Sequence, residues 1–297
     1  MTEFDVLCVG VATLDRIVVV DTLPGDDERI VAEPFTVAGG GPAATAAVAL
    51  ARLGARVALC AVVGPDDAGR QVLEGLRAEG VNLRWVSVRD DVRTTESVVL
   101  VNRHRETRTI ITTPSSPPAV SSVALDLAPW VHVDQTGYGA VREAMLLWPG
   151  SLPKLSVDAG NGIDNLDLAG IALYAPTVGQ LLGRFPGSLP ESLSAARSAG
   201  ADAVVATAGS GGCYVLKGDE IIHIPVVATD VVSTVGAGDV FHGALLAATV
   251  AGAGLVEAAR IAAATAALSC RALDGRSAIP YADDLRDRFG VEVGTQR

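Results

Sequence analysis

The feature that most constrains the fold is an alternation of strand and helix patterns over the second half of the chain. From Trp130 onward, short apolar runs rich in Val, Ile and Leu are separated by stretches with helical spacing of apolar residues. The predicted strands lie near 130–134, 154–158, 171–174 and 202–206, and further strand patterns at 212–216 and 221–227 precede two helices, about 239–251 and 255–270. Strands that alternate with helices favour a parallel sheet covered by helices on both faces. We therefore predict a three-layer α/β fold.

The first half of the chain opens with the same kind of pattern. Asp5–Gly10 is an apolar run that ends at a glycine, and Arg56–Val63 is a second one. Helices are predicted over Ala43–Leu53, preceded by Pro42, and over about Asp66–Ala78. Proline suits the first turn of a helix because the N–H that it lacks has no partner there, and acidic residues suit a helix start.

Two β-hairpins interrupt this alternation, at about 15–37 and 94–113. The first combines strand patterns at Arg16–Val20 and Ile30–Val37 with a turn cluster of Pro, Gly and Asp between them. The second is rich in Val, Thr and Ile and has a polar tip at Asn102–Glu106. We expect the two hairpins to pair into a small sheet that covers one edge of the main fold.

Composition narrows the classes of function. Hydrophobic residues make up 49% of the 297 residues, which allows a large core, while aromatic residues make up only 4%. The net charge of −11 leaves no basic block to neutralise many phosphates, so nucleic-acid binding is not expected. The apolar runs are interrupted before the roughly 18 residues that a membrane span needs, so no membrane is expected as a partner.

Cysteine usage and the first residues indicate a cytoplasmic protein. The four cysteines, Cys8, Cys60, Cys213 and Cys270, are far apart and form no CxxC pair. This pattern is typical of buried thiols in a reducing compartment. The segment Met1–Asp5 is acidic where a signal peptide would be basic.

The strongest candidate for chemistry is Ser233–Asp239, Ser-Thr-Val-Gly-Ala-Gly-Asp, which runs into an apolar helix. Small residues ahead of a helix leave its first N–H groups bare, and those groups can hold an oxyanion or a phosphate. Asp239 lies at or near the N-cap and could simply cap the helix, but a plain cap does not need two preceding glycines. The positive helix end is expected to lower the pKa of Asp239.

A second glycine turn precedes the first helix, in Gly-Gly-Gly-Pro-Ala-Ala-Thr from Gly39 to Thr45. Over Gly39–Ala44 it formally matches G-x-G-x-x-A, the dinucleotide-binding fingerprint. It follows an apparent hairpin rather than the first strand of a βαβ unit, and the nearest downstream acid, Asp66, is slightly too far away. Two interpretations stay open, namely close packing of helix against sheet and close backbone approach of a polar ligand.

Two further features lie next to predicted strands. Thr207–Gly212, Thr-Ala-Gly-Ser-Gly-Gly, follows the strand at 203–206. Loops at the carboxyl ends of parallel strands are where α/β sheets bind ligands, although a simple glycine turn is the alternative. Asp15 follows the apolar segment after Gly10, a position where a lone acid is usually just solvated.

Together these residues resemble the PfkB, or ribokinase-like, family of sugar kinases. The segments 39–54 and 234–244 are similar to its two signatures in order and spacing, and the resemblance covers nearly the whole chain. It includes Asp15 before the first hairpin and the closing run Gly275–Pro280. Within the family, the chain looks most like the sulfofructose kinase branch, with ketohexokinases as more distant relatives.

The resemblance implies one ribokinase-like α/β/α domain over residues 1–297, with a mostly parallel central sheet. The hairpins at about 15–37 and 94–113 would form a small β-sheet lid, which in this family often forms a dimer contact. The implied activity is transfer of the γ-phosphoryl group of ATP to a hydroxyl of a ketose or related polyol. ATP and Mg²⁺ are the implied cofactors, and a homodimer is expected.

The resemblance also implies roles for individual residues. Asp239 would be the catalytic base, and the amides of Gly236, Ala237 and Gly238 would form the anion hole. The residues expected to bind the sugar are Asp15, Gly40, Gly41, Thr45, Arg108 and Thr112. The residues expected to bind the nucleotide are Thr207, Gly209, Gly212, Ala264, Ala267 and Leu268.

The sequence departs from the family pattern at positions that bear on cations and on the substrate. Ser233 stands where members commonly have an Asp beside a monovalent-cation site, so potassium activation is left open. The stretch Tyr174–Thr177 lacks the Asn-x-x-Glu motif that helps to organise Mg²⁺. Thr112 and Thr136 replace the Asn and Arg that contact the sulfonate in the sulfofructose kinase branch, which favours a neutral sugar.

Three alternatives stay open on the sequence. A nucleoside kinase of the same fold would need an apolar or aromatic slot for the base, and aromatic residues are few. An NAD(P)-dependent oxidoreductase would use Gly39–Ala44. A sugar-binding or regulatory protein without catalysis would have no need of the intact Gly236–Asp239.

Overall fold

The computed structural model describes residues 2–33, 35–105 and 107–289. The strands are β1 (Val6–Val9), β2 (Thr13–Val20), β3 (Thr36–Gly40), β4 (Val57–Cys60), β5 (Val62–Val63), β6 (Ser87–Val88), β7 (Thr95–Asn102), β8 (Thr107–Thr112), β9 (Trp130–Val133), β10 (Lys154–Ala159), β11 (Ile171–Pro176), β12 (Ala201–Thr207), β13 (Cys213–Lys217) and β14 (Glu220–Ile224). The helices are α1 (Pro42–Arg52), α2 (Asp67–Ala78), α3 (Tyr138–Leu147), α4 (Val178–Arg184), α5 (Leu189–Ser198), α6 (Ala237–Val250), α7 (Leu255–Ser269) and α8 (Ala282–Phe289).

Eight strands form the central sheet, in the order β14-β13-β12-β11-β10-β9-β1-β4. Neighbours from β12 to β4 are parallel, and β13 and β14 continue the sheet with antiparallel pairs. One apolar cluster lies between the sheet and α1, α2, α6 and α7, and a second lies between the opposite face and α3, α4 and α5. The predicted three-layer α/β fold with a mostly parallel sheet is confirmed.

A second sheet has the strand order β3-β2-β7-β8 and is called the small sheet below. It consists of the two predicted hairpin regions, joined by parallel pairing of β2 with β7. Its inner face carries Ile17, Val99 and Val101, which form a separate apolar cluster with Val235 and Leu273. The small sheet therefore covers the segment that leads into α6.

Three local predictions differ from the structure. The strand expected at Ile30–Val37 begins only at Thr36 and continues to Gly40, because pairing with β2 runs from Ile17 to Thr13 and leaves the earlier residues without a partner strand. The strand expected at Arg56–Val63 is divided into β4 and β5, and β5 pairs with β6 instead of the central sheet. Helix α8 was not predicted, since most of its residues are charged.

Within the described ranges, no helix combines the length and the apolar character that crossing a membrane requires.

A buried carboxylate directly after β9 holds three segments together. Oδ2 of Asp134 accepts hydrogen bonds from the amides of Val11 (2.8 Å) and Ala43 (3.2 Å). Oδ1 accepts from the amides of Thr136 (2.8 Å) and Gly137 (3.0 Å). These amides belong to the loop after β1, the first turn of α1 and the loop before α3. Asp134 thereby fixes the N-terminus of α1 at the carboxyl edge of the central sheet.

Replacement of Asp134 by Asn should lower the free energy of unfolding by about 3 kcal/mol, because an amide group would aim a donor at backbone donors. Urea denaturation measures the change. The matched control is Asp219→Asn, whose side chain is 99% exposed, and it should shift stability by less than about 0.5 kcal/mol. Equal losses in the two variants would contradict this role of Asp134.

Helices α1 and α6 pack through a glycine. A Cβ atom on Gly243 would lie 2.5 Å from the carbonyl oxygen of Ala46 and 2.9 Å from its Cα. Because the contact falls within the first two turns of both helices, their N-termini are held side by side. Both helix starts then face the same edge of the sheet, where α/β proteins bind ligands.

Replacement of Gly243 by Ala should therefore destabilise the protein by about 1–3 kcal/mol, since the two backbones would have to separate. The control is Gly75→Ala on α2, where an added Cβ meets nothing within 4 Å. That variant should be neutral or stabilised by up to about 1 kcal/mol, because alanine favours the helix. Thermal and urea unfolding of both proteins compare the two sites directly, and a neutral Gly243→Ala would contradict the close contact.

Candidate active site

The start of α6 presents free backbone amides. Gly236 is the N-cap residue and adopts a left-handed conformation (φ 71°, ψ −2°), and an added Cβ there would lie 2.8 Å from Cα of Gly275. Among the described residues, the amides of Gly236, Gly238 and Asp239 have no hydrogen-bond partner, whereas that of Ala237 donates to the carbonyl of Thr234 at 3.3 Å. The predicted anion hole is therefore available at Gly236 and Gly238 and partly engaged at Ala237.

Asp239 is the third residue of α6 and does not cap the helix. It is half-buried, and the burial of its carboxyl group raises its pKa to about 7, helped by the nearby charge of Asp158. The sequence-based expectation of a lowered pKa is wrong, because desolvation outweighs the helix dipole at this position. A carboxylate with this pKa is a stronger proton acceptor than an ordinary aspartate.

A buried pair of ionisable side chains that sequence reasoning missed joins α6 to β10. Nδ1 of His242, on α6, is 2.8 Å from Oδ2 of Asp158, on β10. Burial alone would raise the pKa of Asp158, but the charge of His242 outweighs it and lowers the pKa. Burial would likewise lower the pKa of His242, yet Asp158 raises it. His242 lies inside the recognised 234–244 segment, but no pattern in the sequence links it to Asp158.

Asp15 lies on β2 and is buried beside the end of β3. Its Oδ1 accepts a hydrogen bond of 2.7 Å from Oγ1 of Thr13, and burial raises its pKa. A Cβ on Gly40 would come within 2.0 Å of Oδ2 of Asp15, so only glycine leaves room for this carboxylate. Asp15 is thus part of a built polar cluster and is not a solvated surface acid.

Arg276 is a third residue that sequence reasoning missed. Its side chain is buried, its Nη2 donates to the carbonyl of Gly40 at 2.6 Å, and its Nε donates to Oγ1 of Thr45 at 3.2 Å. A Cβ on Gly39 would lie 2.3 Å from Nη1. Burial lowers the pKa of Arg276 to about 10, which leaves the guanidinium charged at neutral pH. The available signal was an arginine inside the closing Gly275–Pro280 run.

These contacts explain the glycines of the fingerprint-like segment. Gly39 makes room for Arg276, Gly40 makes room for Asp15, and a Cβ on Gly41 would lie 2.5 Å from the carbonyl oxygen of Val11. The three glycines are therefore required by contacts within the protein. Contacts within the protein thus account for the three positions, and close approach of a polar ligand stays a prediction.

The strand β8 supplies two predicted residues, and only one approaches the start of α6. Nη1 of Arg108 donates to Oγ1 of Thr234 at 2.9 Å. Thr112 is exposed, and its Oγ1 accepts a hydrogen bond of 3.3 Å from Oγ of Ser97, which pairs with Asp15 in the small sheet. A cavity of about 350 Å³ lies beside this contact, between part of the small sheet and the segment before α6, and Arg108 and Thr234 are among the residues that line it.

A cleft of about 420 Å³ opens between α7 and the end of β14. Ala264 lines this cleft, whereas Ala267 and Leu268 are buried and do not line it. Of the three residues on α7 that were predicted to bind the nucleotide, one therefore lines the cleft.

The glycine turn after β12 adjoins this cleft through His223, whose Nε2 lies 2.8 Å from the carbonyl oxygen of Gly211. Gly209 faces open space, whereas a Cβ on Gly212 would lie 2.1 Å from the carbonyl oxygen of Ile224. Thr207 ends β12, and its Oγ1 lies 3.5 Å from the carbonyl oxygen of Pro176. Gly209 is therefore the member of this turn with backbone open to a ligand, while Gly212 is required by packing.

The positions that depart from the family pattern have local structural roles. Oγ of Ser233 is buried and accepts from the amide of Val235 at 3.2 Å. Thr177 caps α4 through the amide of Gln180. Within the described ranges, no group of three or more His, Cys, Asp or Glu side chains is arranged to hold a metal ion.

The chain is similar to known proteins over most of its length. The sequence matches the family described as pfkB family carbohydrate kinase over residues 3–134 and 178–281. A ribokinase from Mus musculus is 27% identical, over 94% of this chain and 93% of its own length. A ketohexokinase from Mus musculus is 30% identical over 50% of each chain. A nucleoside kinase from Methanothermobacter thermautotrophicus is 24% identical, over 98% of this chain and 97% of its own length.

Solved structures agree on the fold. A ribokinase from Thermotoga maritima has a TM-score of 0.83 at 20% identity, covering 96% of this chain and 98% of that one. A ribokinase from Arabidopsis thaliana, solved in complex with ribose and ATP, has a TM-score of 0.77 at 24% identity, covering 95% and 96%. At these identities the likeness shows the fold alone.

The family match spans both glycine-rich segments and the helix starts that they precede, and it favours a kinase over the oxidoreductase alternative. The named relatives act on sugars or nucleosides, so they leave the acceptor open. The chain belongs to the pfkB family of carbohydrate kinases, which are phosphotransferases that act on an alcohol group.

Proposed function

We propose that this protein transfers the γ-phosphoryl group of ATP to a hydroxyl group of a ketose or related polyol. The observation that carries the proposal is the combination of Asp239, whose burial raises its pKa to about 7, with the free amides of Gly236 and Gly238 at the same helix start. A proton acceptor beside an anion-binding helix terminus is what transfer of a phosphoryl group to an alcohol requires.

In the proposed reaction, the sugar hydroxyl oxygen forms a bond to the γ-phosphorus, and the bond from that phosphorus to the β-phosphate oxygen breaks. The electron pair leaves with ADP, and the hydroxyl proton passes to the carboxylate of Asp239. The amides of Gly236 and Gly238 stabilise negative charge on the phosphoryl oxygens. Arg108, held near them by Thr234, adds a positive charge from the small sheet.

The sugar would lie against Asp15, Gly40, Gly41 and Thr45. An ionised carboxylate can accept hydrogen bonds from two neighbouring hydroxyl groups, which suits a polyol. Arg276 brings Gly40 and Thr45 together, and its charge offsets that of Asp15, so the pocket favours a neutral acceptor. Thr112 would contact the substrate through the edge of the small sheet.

The nucleotide would lie in the cleft lined by Ala264, with its phosphates running past Gly209 and Thr207 toward α6. Mg²⁺ would be carried by the phosphates and water, and it would neutralise charge as the phosphoryl group moves. Ser233 offers a hydroxyl rather than a carboxylate beside this segment, so a dependence on K⁺ is a question for the assay below.

The small sheet is proposed to act as a lid over the single kinase domain. It spans the predicted regions at about 15–37 and 94–113 and already touches the segment before α6. Closing it over the bound sugar would keep water away from the phosphoryl group. The reaction would take place in the cytoplasm, where ATP is abundant and the four buried cysteines stay reduced.

ADP formation with Mg²⁺ across ketoses, aldoses, polyols, sugar acids, sugar sulfonates and nucleosides, with and without K⁺, tests the proposal. We expect one neutral sugar to give turnover far above the rest. Replacement of Asp239 by Asn should then lower kcat by at least about 10²–10⁴-fold while ATP affinity stays near that of the parent protein, since only the proton acceptor is lost.

Retention of most activity by the Asp239→Asn variant would show that another group accepts the proton. Preference for a nucleoside would favour the second candidate, which the nucleoside kinase relative supports. The polar neighbours of Asp15, namely Thr13, Ser97 and Arg276, favour a sugar over a base at this position.

A homodimer through the small sheet is also proposed. β8 is the edge strand of that sheet and all six of its residues are exposed, including Ile110 (51%) and Ile111 (61%). An exposed, β-branched edge strand is a ready template for pairing with another chain. Two copies could cover each other's edge in this way.

Replacement of Ile111 by Lys should therefore convert a dimer into a monomer in sedimentation velocity, because a charge at the edge opposes strand pairing. The control is Leu146→Lys, at a site on α3 that is 84% exposed, and it should leave the oligomeric state unchanged. A parent protein that sediments as a monomer would rule the dimer out.

A further inference from the structure

Two ionisable side chains, His242 and Asp158, are buried against each other near the start of α6. His242 follows Asp239 by three residues on α6, and its Nδ1 lies 2.8 Å from Oδ2 of Asp158. The side chains are only 3% and 4% exposed. Removing two charges from water is so unfavourable that apolar side chains of similar size often stabilise a core as well or better. The pair therefore calls for a role beyond packing.

The two partners stabilise each other in their charged forms. Burial opposes the charge on each residue, but the attraction between them outweighs burial, raising the pKa of His242 and lowering that of Asp158. His132 on β9 provides a contrast. It is equally buried, its Nδ1 lies 3.0 Å from Oγ of Ser156, and burial lowers its pKa to about 4. Of the two histidines near Asp158, only His242 has a raised pKa.

The charged groups that face Asp239 come from every element packed around it. Besides burial, which is the largest cause, Asp158 on β10 and Asp134 after β9 raise its pKa. His242 on its own helix and Arg108 on β8 lower it. Arg276, in the loop after α7, is also close enough to interact with it. His242 therefore lies three residues from the proposed base on the same helix, and Asp158 is a second carboxylate whose charge raises the pKa of Asp239.

We propose that His242 is a positioning residue of the phosphoryl-transfer site, held by Asp158 so that its positive charge lets the carboxylates of Asp158 and Asp239 stay ionised and keeps Asp239 free to accept the substrate's proton. The inference rests on the proposed role of Asp239 as the base. It assigns no contact with substrate to His242 or Asp158.

The consequence of losing the cation follows from coupled titration. Without His242, two carboxylates close together cannot both ionise easily, so they share one proton over the neutral range. Whenever that proton resides on Asp239, the enzyme has no base. The acid limb, which is the fall of kcat on the low-pH side of its pH profile, then moves to higher pH. Removing Asp158 as well leaves Asp239 with no second carboxylate to share the proton, and the acid limb moves back toward its original pH.

The first test measures the charge on His242 directly. The chain has only four histidines, so each imidazole can be assigned by ¹⁵N NMR. At about pH 7.5 we expect the signals of His242 to be those of an imidazolium, while those of His132 are those of a neutral ring. A neutral His242 in the parent protein would overturn the proposal, whatever the activity of any variant.

The second test compares pH profiles of kcat. His242→Asn should move the acid limb upward by about one unit, close to a tenfold loss of turnover below the limb. The double variant His242→Asn with Asp158→Asn should recover at least half of that shift. The control His104→Asn, at the exposed tip between β7 and β8, should keep the parent profile.

Two outcomes of the second test would overturn the proposal, namely an unmoved limb in His242→Asn and a double variant more impaired than the single one. The latter is the result expected if the pair serves packing alone, since two core lesions add. Failure of the proposed base is recognised separately, because an active Asp239→Asn variant would refute that role without changing the NMR result for His242.

Discussion

The geometry of the site depends on four hydrogen bonds to one buried carboxylate. Asp134 accepts from amides after β1, at the start of α1 and in the loop before α3, and so connects these three segments. An added Cβ on Gly10 would lie 2.2 Å from this carboxylate, so the chain passes against it. The four amides offset part of the cost of burial, which raises the pKa of Asp134 to about 6. The N-terminus of α1 is thus held in place by hydrogen bonds within the protein.

A second theme is the balance of charge among groups removed from water. Among the described residues, Asp158 is paired with His242, whereas Asp15 and Asp239 form no ion pair within 4 Å. Burial raises the pKa of Asp15 and raises that of Asp239 to about 7, while the charge of His242 lowers the pKa of Asp158. The surroundings therefore shift the pKa of three chemically identical side chains in different ways.

Much of the architecture was predictable because apolar periodicity is a local property. The parallel sheet, the two hairpin regions and the helix after Gly238 follow from short stretches read alone. The contacts of Arg276 with Gly40 and Thr45, and the pairing of Asp158 with His242, join residues far apart in sequence, and no local pattern encodes them. The pKa of Asp239 was mispredicted for the same reason, since burial is set by distant elements while a helix terminus is visible locally.

The glycine contact between α1 and α6 has a consequence for how such enzymes diversify. Gly243 and Ala46 hold the backbones of α6 and α1 close together. The helix proposed to contact the sugar therefore cannot slide against the helix whose amides are proposed to stabilise the phosphoryl group. Substitutions elsewhere in the protein would thereby leave the relative position of these two helices unchanged. New acceptors would be accommodated by altering strands of the small sheet, whose side chains such as Thr112 stand at the open edge. Descendants of this chain would then differ in what they recognise long before they differ in how they react.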